Sequence, residues 1–409
     1  MVLRNIFSKL KKLFLRIRSR ILTEYTIMHL YPAIYKKYAS KPCNENKVIF
    51  VESRLATLSN SFRIMYSTLE AETDYELSSH FLRKTFVDDL EYVRNCKALI
   101  KDMATAKCIF MDEATHIFAK INLRPETSFV QLWHGCGAFK KFGYSVQDGK
   151  FGASRRAKTR YPVHTNYTLV TVSSDEVIKH FENAMNLTDK NIVRATGVSR
   201  TDIFYDEAFI KSSYSKLYSL LPEARNKKVI LYAPTFRGNV EAAVAPDKLD
   251  IYMMEQKLSD KYILILKHHP LANKPPEIYG KFAYDFSEKM SVDELMCVSD
   301  ICISDYSSLI FEYSLFERPM VFFAYDLDEY FDERGFYYDY DELTPGPVFK
   351  STDEITDYIM DIDSLYNKNT IINFRNKFMS ACDGNATHRI INEVFGEEYN
   401  KHRINKCQK

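Results

Sequence analysis

The sequence predicts an α/β protein built from two parallel sheets in two lobes. Short apolar runs alternate with stretches long enough to form a helix, which is the pattern of a parallel sheet. These runs form two series, separated by a polar segment at 205–225. The chain has 409 residues and is too long for one hydrophobic core, because domains average about 150 residues. Two lobes are the simplest arrangement.

Composition and charge indicate a folded protein and exclude several classes. Hydrophobic residues make up 46% of the chain and charged residues 27%, as in globular proteins. The formal net charge of +2 argues against a general polyanion binder, so no nucleic-acid partner is expected. The eight cysteines form no Cys-x-x-Cys pair. Reduced thiols in the cytoplasm therefore fit better than a disulfide framework.

The first predicted element is a basic amphipathic helix. Residues 1–23 contain seven Lys and Arg and no acidic residue, and their apolar residues recur at helical spacing. We predict that the segment 1–40 associates peripherally with an anionic membrane surface, each basic residue contributing roughly 1 kcal/mol. The sequence has no run of about 18 apolar residues, so no transmembrane helix is expected. A helix packed on the core, or one that binds RNA, is the alternative.

The next two elements are the lobes, which we place at 41–210 and 211–375, followed by a helical segment at 376–409. The strands of the first lobe are predicted at 47–51, 98–100, 108–111, 129–133 and 168–172. Those of the second lobe are predicted at 229–232, 262–266, 301–303 and 320–323. The carboxyl ends of such strands face the ligand crevice of an open α/β sheet. Side chains that follow each strand are thus candidates for chemistry.

In the first lobe, His134 stands at the end of a predicted strand. It is followed by small residues and by Lys140 and Lys141, and five of the twelve glycines fall between 135 and 152. Imidazole at such an edge can take a proton from a hydroxyl at neutral pH, and a lysine can hold an anion. A lone histidine is more often structural, but one flanked by glycine has little packing to do. We therefore favour a functional role.

In the second lobe, three successive strands end in groups that bind phosphate. They end at Arg237, at Lys267-His268-His269, and at Asp305-Tyr-Ser-Ser308. Arginine grips phosphate with two parallel hydrogen bonds. Asp305 is a good helix N-cap, and the hydroxyls of the two serines would stand beside unpaired N–H groups of the first helical turn. An ordinary capped helix and a histidine bonded within the core are the alternatives, but the convergence of three strand ends favours an anion site.

These segments together resemble the CDP-glycerol glycerophosphotransferase family, whose members prime and polymerise teichoic acids and related polymers. The matching motifs lie in order along residues 100–395. They are Trp133-His-Gly with Ala138-Phe-Lys-Lys-Phe-Gly143, Val172-Ser-Ser-Asp175, Gly197-Val-Ser-Arg-Thr-Asp202, Ala233-Pro-Thr-Phe-Arg237, Lys267-His-His-Pro270, Asp305-Tyr-Ser-Ser308, Arg334-Gly335 through Pro347, and Asp383-Gly384-Asn-Ala386.

The resemblance implies a GT-B-like fold of two Rossmann-like lobes, with the nucleotide donor on the second lobe and the acceptor arriving over the first. It implies that His134 is the general base, with His269 as a second catalytic residue. The residues it implies for the donor diphosphate are Arg237, His269, Ser307, Ser308 and Lys267, with Asp305 shaping the turn. We also expect acceptor or phosphate contacts from Lys140, Lys141 and Arg334.

The implied reaction transfers glycerol phosphate from CDP-glycerol to a hydroxyl of a lipid-linked glycan or polyol-phosphate acceptor and releases CMP. It would take place at the cytoplasmic face of the bacterial membrane, in synthesis of a teichoic acid or capsule-type polymer. No cofactor or metal is expected. The pairs Asp326/Asp328 and Asp339/Asp341 superficially mimic a metal-binding Asp-x-Asp motif, but such pairs are frequent in a chain with 54 carboxylates. Alternatives are a CDP-ribitol enzyme of the same fold, a glycosyltransferase or epimerase that uses a UDP-sugar, and a non-catalytic membrane scaffold. The sequence fixes neither acceptor, chain length nor oligomeric state.

Overall fold

A computed structural model describes residues 21–146, 154–238, 243–270, 272 and 280–408, without the side chains of 331–334. Most of the predicted basic helix at 1–23 lies outside these residues. The two predicted sheets are both present, and each has six strands that are parallel throughout. The α/β, GT-B-like class is therefore confirmed. No helix in the described part of the chain has the length and apolarity needed to span a bilayer.

The first sheet has the strand order β2-β1-β3-β4-β5-β6. Its strands are β1 (Asn44–Glu52), β2 (Glu76–Phe81), β3 (Ala106–Met111), β4 (Ser128–Gln131), β5 (Leu169–Thr171) and β6 (Val193–Arg194). The order reverses between β1 and β3, and ligands bind at such switch points outside the carboxyl ends of the strands. Val48 to Val51 are wholly buried in the centre of this sheet.

The second sheet has the order β12-β11-β10-β7-β8-β9. Its strands are β7 (Lys228–Tyr232), β8 (Tyr262–Leu266), β9 (Ala283–Asp285), β10 (Ile301–Ser304), β11 (Met320–Phe323) and β12 (Val348–Phe349). This is the strand order of a dinucleotide-binding fold, and its switch point lies between β7 and β10. The segments that end in Arg237 and begin with Asp305 leave from these two strands.

Helices cover both faces of each sheet. They are α1 (Tyr31–Tyr38), α2 (Asn60–Glu72), α3 (Asp89–Met103), α4 (Arg155–Arg160), α5 (Ile178–Met185), α6 (Glu207–Leu220), α7 (Ile251–Leu258), α8 (Val292–Val298), α9 (Leu309–Tyr313), α10 (Leu327–Arg334), α11 (Tyr340–Leu343), α12 (Thr352–Met360), α13 (Ile362–Leu365), α14 (Lys368–Phe378), α15 (Ala386–Phe395) and α16 (Glu397–Gln408). Residues 21–25 are helical and continue into α1 through a π-helical turn at Thr26–Leu30.

The predicted strand at 98–100 is wrong, because these residues form the last turns of α3. Leu99 and Ile100 are fully buried, so their apolar run marks the inner face of a helix. The edge strand β2 escaped prediction for the opposite reason. It reads Glu-Leu-Ser-Ser-His-Phe and is only half-buried, so it lacks the apolar run that marks a central strand.

The last two long helices return to the first lobe. Ile390 and Phe395 of α15 share a hydrophobic cluster with Val48 and Phe50 of β1. The start of α15 is held by Asp202, whose carboxylate accepts hydrogen bonds from the backbone N–H groups of Ala386 (3.1 Å) and Thr387 (2.7 Å). A carboxylate at a helix N-terminus satisfies donors that the helix cannot. The chain therefore crosses between lobes and ties them together.

Candidate active site

His134 is presented by a turn that a buried glutamine holds in place. Gln131 ends β4, accepts a hydrogen bond from the Trp133 N–H (3.0 Å) and donates to the Tyr167 hydroxyl (2.9 Å). Trp133 adopts the left-handed conformation, with φ of 58°, which is rare for a bulky side chain. Strain of this kind is kept where the surroundings enforce it, often next to a functional residue. The turn carries His134 beyond the carboxyl end of the sheet.

The protonation of His134 follows from its neighbours. Its Nδ1 lies 2.9 Å from the backbone carbonyl oxygen of Asp112. A carbonyl only accepts, so the neutral ring carries its proton on Nδ1 and its lone pair on Nε2. Burial lowers the pKa of His134 below its ordinary value of 6.5, although the hydrogen bond to the Asp112 backbone and the charge of the Asp112 carboxylate oppose this shift. The ring is thus a neutral base at neutral pH.

Three carboxylates lie behind this histidine at the switch point between β1 and β3. Glu113 Oε1 lies 3.5 Å from His134 Nδ1 and pairs with Arg54 at 2.6 Å. Burial and the charge of Glu52 raise the pKa of Asp112 to about 6. These groups favour a positive charge on the imidazole once it has taken up a proton.

Arg200 connects the histidine to the second lobe. Its guanidinium donates to the His134 carbonyl oxygen at 2.5 Å and to Asp293 Oδ1 of α8 at 2.5 Å. It also lies 3.4 Å from Glu312 of α9. Asn60 of α2 donates to the other oxygen of Asp293 at 2.7 Å. One buried ionic cluster therefore spans the crevice and contacts the backbone of His134.

The loop after His134 packs directly on the second lobe. A Cβ atom at Gly137, whose φ is +62°, would stand 2.4 Å from the ring of Phe311 in α9. Further along, Lys140 pairs with Phe336 as an antiparallel bridge, and the Lys141 N–H donates to the Gly335 carbonyl oxygen (3.1 Å). Backbone of the two lobes therefore meets along this loop.

Asp305 holds the turn after β10, but not as a helix N-cap. The helix α9 begins at Leu309, and Ser308 occupies the N-cap position without a side-chain hydrogen bond to the helix. The Asp305 carboxylate instead accepts from the Thr235 N–H (3.0 Å) and from the Tyr306 N–H (2.6 Å). It thus ties the end of β10 to the segment after β7, across the switch point.

Arg237 points into the protein, which differs from the expected contact with a diphosphate. Its Nε and Nη2 both donate to Asp326, at 2.5 and 3.0 Å, and Nη1 donates to Asp305 at 3.0 Å. The rings of Tyr306 and Tyr330 lie 5.2 and 5.3 Å from the guanidinium carbon. Two carboxylates, Asp305 and Asp326, already pair with the single positive charge. Arg237 is therefore placed to fix the loops around the switch point.

Lys267 is also turned inward. Its ammonium donates to the backbone carbonyl oxygens of Ser287 (2.5 Å) and Met290 (2.8 Å), and burial lowers its pKa. The sequence placed Lys267 at the correct sheet edge, but the side chain packs against the turn after β9. It is therefore not placed, in this arrangement, to offer its charge to a ligand.

The remaining donor-side residues lie at the surface of the crevice edge. Ser308 and His269 are exposed and Ser307 is half-buried. The Ser307 hydroxyl accepts from the Leu309 N–H at 3.4 Å, and the His269 ring lies 4.9 Å from that of Phe236. His268 is buried, and neither of its ring nitrogens has a hydrogen-bond partner among the described residues.

The acceptor-side lysines lie where the lobes meet. Lys141 is exposed, whereas the Lys140 ammonium lies 5.1 Å from the centre of the Tyr330 ring. The side chain of Arg334 lies outside the described part of the structure. Among the described residues, no group of three or more His, Cys, Asp or Glu is arranged to hold a metal ion.

Sequence reasoning missed the ionic cluster around Arg200. Arg200 lies within the quoted motif at 197–202, yet nothing local reveals its partners, which are 93 and 112 positions away in Asp293 and Glu312. Acidic residues in helices are usually solvated, so Asp293 and Glu312 gave no signal. Only the packed arrangement of the two lobes identifies them.

Comparison with known proteins agrees with this architecture. The structure of the wall teichoic acid polymerase TagF aligns with 97% of this chain, at a TM-score of 0.73 and 22% sequence identity, and 98% of that chain is covered. Similarity at this level of identity establishes the fold. It supports the arrangement of two parallel-sheet lobes described above.

Sequence relatives are closer. The chain is 36% identical to the teichoic acid poly(ribitol-phosphate) polymerase of Bacillus spizizenii over 89% of its length, but spans only 58% of the length of that relative. It is 34% identical to the teichoic acid ribitol-phosphate primase of the same organism, over 85% of this chain and 90% of the relative. The profile of one family matches residues 33–396. The chain belongs to that family, the CDP-glycerol:poly(glycerophosphate) glycerophosphotransferases.

Proposed function

We propose that this protein transfers glycerol phosphate from CDP-glycerol to an acceptor hydroxyl and releases CMP. The observation that carries the proposal is the state of His134. Its ring is neutral, it donates from Nδ1 to the Asp112 carbonyl oxygen at 2.9 Å, and Nε2 keeps its lone pair. A base held in this way at the crevice between two lobes suits removal of a proton from an alcohol.

The proposed step is a single displacement. The acceptor oxygen attacks the β-phosphorus, which carries the polyol, while Nε2 of His134 takes the hydroxyl proton. A phosphodiester forms, the phosphoanhydride bond breaks, and CMP leaves with the bridging oxygen and its electron pair. Positioning and charge stabilisation dominate this kind of chemistry. The carboxylates at Glu113 and Asp112 would stabilise the imidazolium that results.

On the donor side, we assign the contacts to residues that reach the surface of the crevice edge. The hydroxyls of Ser307 and Ser308 and the ring of His269 lie at this edge. We assign to Asp305 and Arg237 the task of holding the turn in the shape that presents these groups, because their hydrogen bonds join the ends of β7 and β10. Lys267 would support the neighbouring loop.

On the acceptor side, we assign anion contacts to the lysines of the inter-lobe loop. Lys141 is exposed, and Lys140 lies on the same segment beside Tyr330. The loop also carries Gly137, whose contact with α9 keeps the lysines and the donor turn together. An acceptor that bears phosphate, such as a polyol-phosphate chain or a lipid-linked glycan, suits this arrangement. We place the reaction at the cytoplasmic face of a bacterial membrane, in teichoic acid-type polymer synthesis.

A second candidate donor is CDP-ribitol. The two sequence relatives described above are both named for ribitol phosphate, whereas the family profile is named for glycerol phosphate. The two polyols differ in length but present the same diphosphate and the same attacked phosphorus. The mechanism is therefore unchanged, and only the contacts to the polyol would differ.

A donor panel tests the proposal. Purified full-length protein would receive CDP-glycerol, CDP-ribitol or a UDP-sugar separately, with a membrane extract as acceptor source, and nucleotide release would be measured. We expect CMP from one of the CDP-polyols and only a trace of it with His134→Ala. Release of UDP from a UDP-sugar, or no turnover of either CDP-polyol, would overturn the proposed function.

A further inference from the structure

An apolar cavity lies in the first lobe, beside the turn that presents His134. Its volume is about 490 Å³, within the range of about 300–1,000 Å³ found for small-molecule pockets. The first described helical turns contribute Ile27 to its wall, and α4 contributes Ala157. None of the groups discussed so far for catalysis lines it.

Most of the lining is uncharged, and Glu24 and Lys158 are its charged members. Val163 and Tyr161 contribute apolar surface, together with the ring of His164. Burial lowers the pKa of His164 to about 4, so this ring is neutral at physiological pH. The interior therefore suits a hydrocarbon group and disfavours an ion.

Positive charge is concentrated in α4, the helix that contributes Ala157 and Lys158 to the lining. From Ser154 to Ser174 the chain carries Arg155, Arg156, Lys158 and Arg160 and no acidic residue. Lys158 donates to the Gly143 carbonyl oxygen at 2.5 Å, and Arg160 pairs with Glu24. These two contacts join α4 to the other walls, while Arg156 remains exposed.

The helix that supplies Ile27 also exposes large apolar residues on its outer side. Ile21, Leu22 and Tyr25 are 61%, 53% and 57% exposed. Exposed apolar side chains next to a cationic helix are typical of a surface that lies in a membrane interface. The cavity is thus placed where one chain of a lipid could leave the bilayer and enter it.

We propose that this cavity holds one hydrocarbon chain of an anionic membrane lipid, whose phosphate lies against the basic face of α4. Occupation would dock the first lobe on the bilayer with the crevice edge at a fixed height. A polyprenyl phosphate carrier also combines a hydrocarbon chain with a phosphate and would be an alternative occupant. We assign the site to the bulk anionic lipid, because an exposed basic helix beside exposed apolar residues matches the membrane surface itself.

Trp133 provides a direct probe, because it is the only tryptophan in the chain and its ring lies 5.9 Å from that of His164. Full-length protein would be mixed with vesicles of phosphatidylglycerol brominated on the acyl chains, since bromine quenches tryptophan only at short range. We expect quenching, and much less with brominated phosphatidylcholine. Equal or absent quenching with the two lipids would overturn the proposal.

Variants locate the chain within the cavity. Ala157→Leu fills the cavity from α4, and Thr23→Leu fills it from the helical turns that carry Ile27. Each variant should raise the lipid concentration needed for half of the quenching at least about tenfold, because excluding roughly two methylene groups from the cavity weakens binding by that factor. Thr370→Leu, at an exposed position of α14 that does not line the cavity, is the matched control and should quench as the unmodified protein does. Unchanged quenching in both filled variants would place the lipid elsewhere and contradict the proposal.

Competition identifies the source of the chain. Unlabelled phosphatidylglycerol should relieve the quenching, and relief by a polyprenyl phosphate alone would contradict the assignment to bulk lipid. The readout is lipid binding and needs neither donor nor acceptor. A protein that binds lipid here but turns over no CDP-polyol would leave this inference standing and overturn the proposed function. A protein that turns over a CDP-polyol but binds no lipid here would overturn this inference and leave the proposed function standing.

Discussion

The guanidinium of Arg200 donates to the backbone carbonyl oxygen of His134 at 2.5 Å and carries that contact across the crevice to Asp293 at 2.5 Å. The candidate base is therefore fixed from both sides. Asp112 of the first lobe sets its tautomer, and α8 of the second lobe sets its position through Arg200. The position of His134 therefore depends on how the two lobes pack against each other.

Replacing Arg200 with lysine should lower kcat by about 10²-fold, the cost expected when a reacting group is displaced by roughly 1 Å. Lysine keeps the charge but lacks the planar fork that reaches two acceptors at once. Steady-state CMP release would measure the effect. KM for the donor should change little, because Arg200 contacts no substrate in our account.

Asp293→Asn is the companion variant, since it weakens the other end of the same link and keeps its shape. It should lower kcat in the same direction but by less, because the amide oxygen still accepts a hydrogen bond. Activity of Arg200→Lys within about threefold of the unmodified protein would show that the link does not position His134.

Activity should fall with decreasing pH only below pH 6.5. In the proposed mechanism His134 acts while neutral, and burial lowers its pKa from that ordinary value. Protonation removes the Nε2 lone pair, so the acidic limb of kcat follows this lowered pKa. A pH–rate profile with saturating donor measures it.

His134→Asn should reduce kcat by about 10²–10⁴-fold, the range for loss of a general base, and should remove that acidic limb from the residual rate. Full activity of this variant, or an acidic limb above pH 6.5 in the unmodified protein, would contradict the assignment of the base.

Removing the charge of Arg237 should destabilise the second lobe. Arg237→Met leaves Asp305, which is 2% exposed, and Asp326 without their cation. Breaking a buried ion pair from one side costs about 3–5 kcal/mol. Thermal unfolding followed by circular dichroism would show a lower midpoint.

The double variant Arg237→Met with Asp305→Asn tests the cause. It should recover part of the lost stability, because one unpaired charge has been removed along with its partner. If Arg237→Met instead unfolds as the unmodified protein does and only weakens donor binding, then Arg237 is a diphosphate ligand and our placement of it is incorrect.

Gly137→Ala should disturb the contact between the lobes. The added methyl would stand 2.4 Å from the Phe311 ring, at a φ of +62°. Overpacking costs about 1–3 kcal/mol, and a left-handed conformation costs roughly another 1–2 kcal/mol for a residue with a Cβ. Both the unfolding midpoint and CMP release should decrease.

Gly135→Ala is the matched control in the same loop, because a Cβ there meets nothing within 4 Å. It should be almost neutral for stability. A Gly137→Ala variant with unchanged stability and activity would show that the loop is not held against α9.

The positions of the candidate site residues along the sheets are predictable from backbone direction. The rule that parallel strands end at one sheet edge placed His134, His269 and Ser307 correctly at the carboxyl ends of β4, β8 and β10. Central strands such as β8 were recognised because every residue from Tyr262 to Leu266 is buried. The half-exposed edge strand β2 has no such signature.

Side-chain direction was harder to predict, because it depends on partners distant in sequence. Arg237 and Lys267 stand at the predicted edge but turn inward to Asp326 and to the Ser287 carbonyl oxygen. Asp305 was expected to cap a helix and instead bonds across the switch point. The role of Arg200 is evident only from its ion pair with Asp293 in the other lobe. Long-range ion pairs of this kind have no local signal.

Phosphorus NMR of the product tests most directly whether the protein transfers polyol phosphate to a hydroxyl that His134 activates. The unmodified protein and His134→Asn would each receive CDP-glycerol, or CDP-ribitol if that proves to be the donor. We expect one new phosphodiester for each CMP released by the unmodified protein, and almost none with the variant. A phosphomonoester in place of the phosphodiester, or equal phosphodiester yield with His134→Asn, would contradict transfer to a hydroxyl activated by His134.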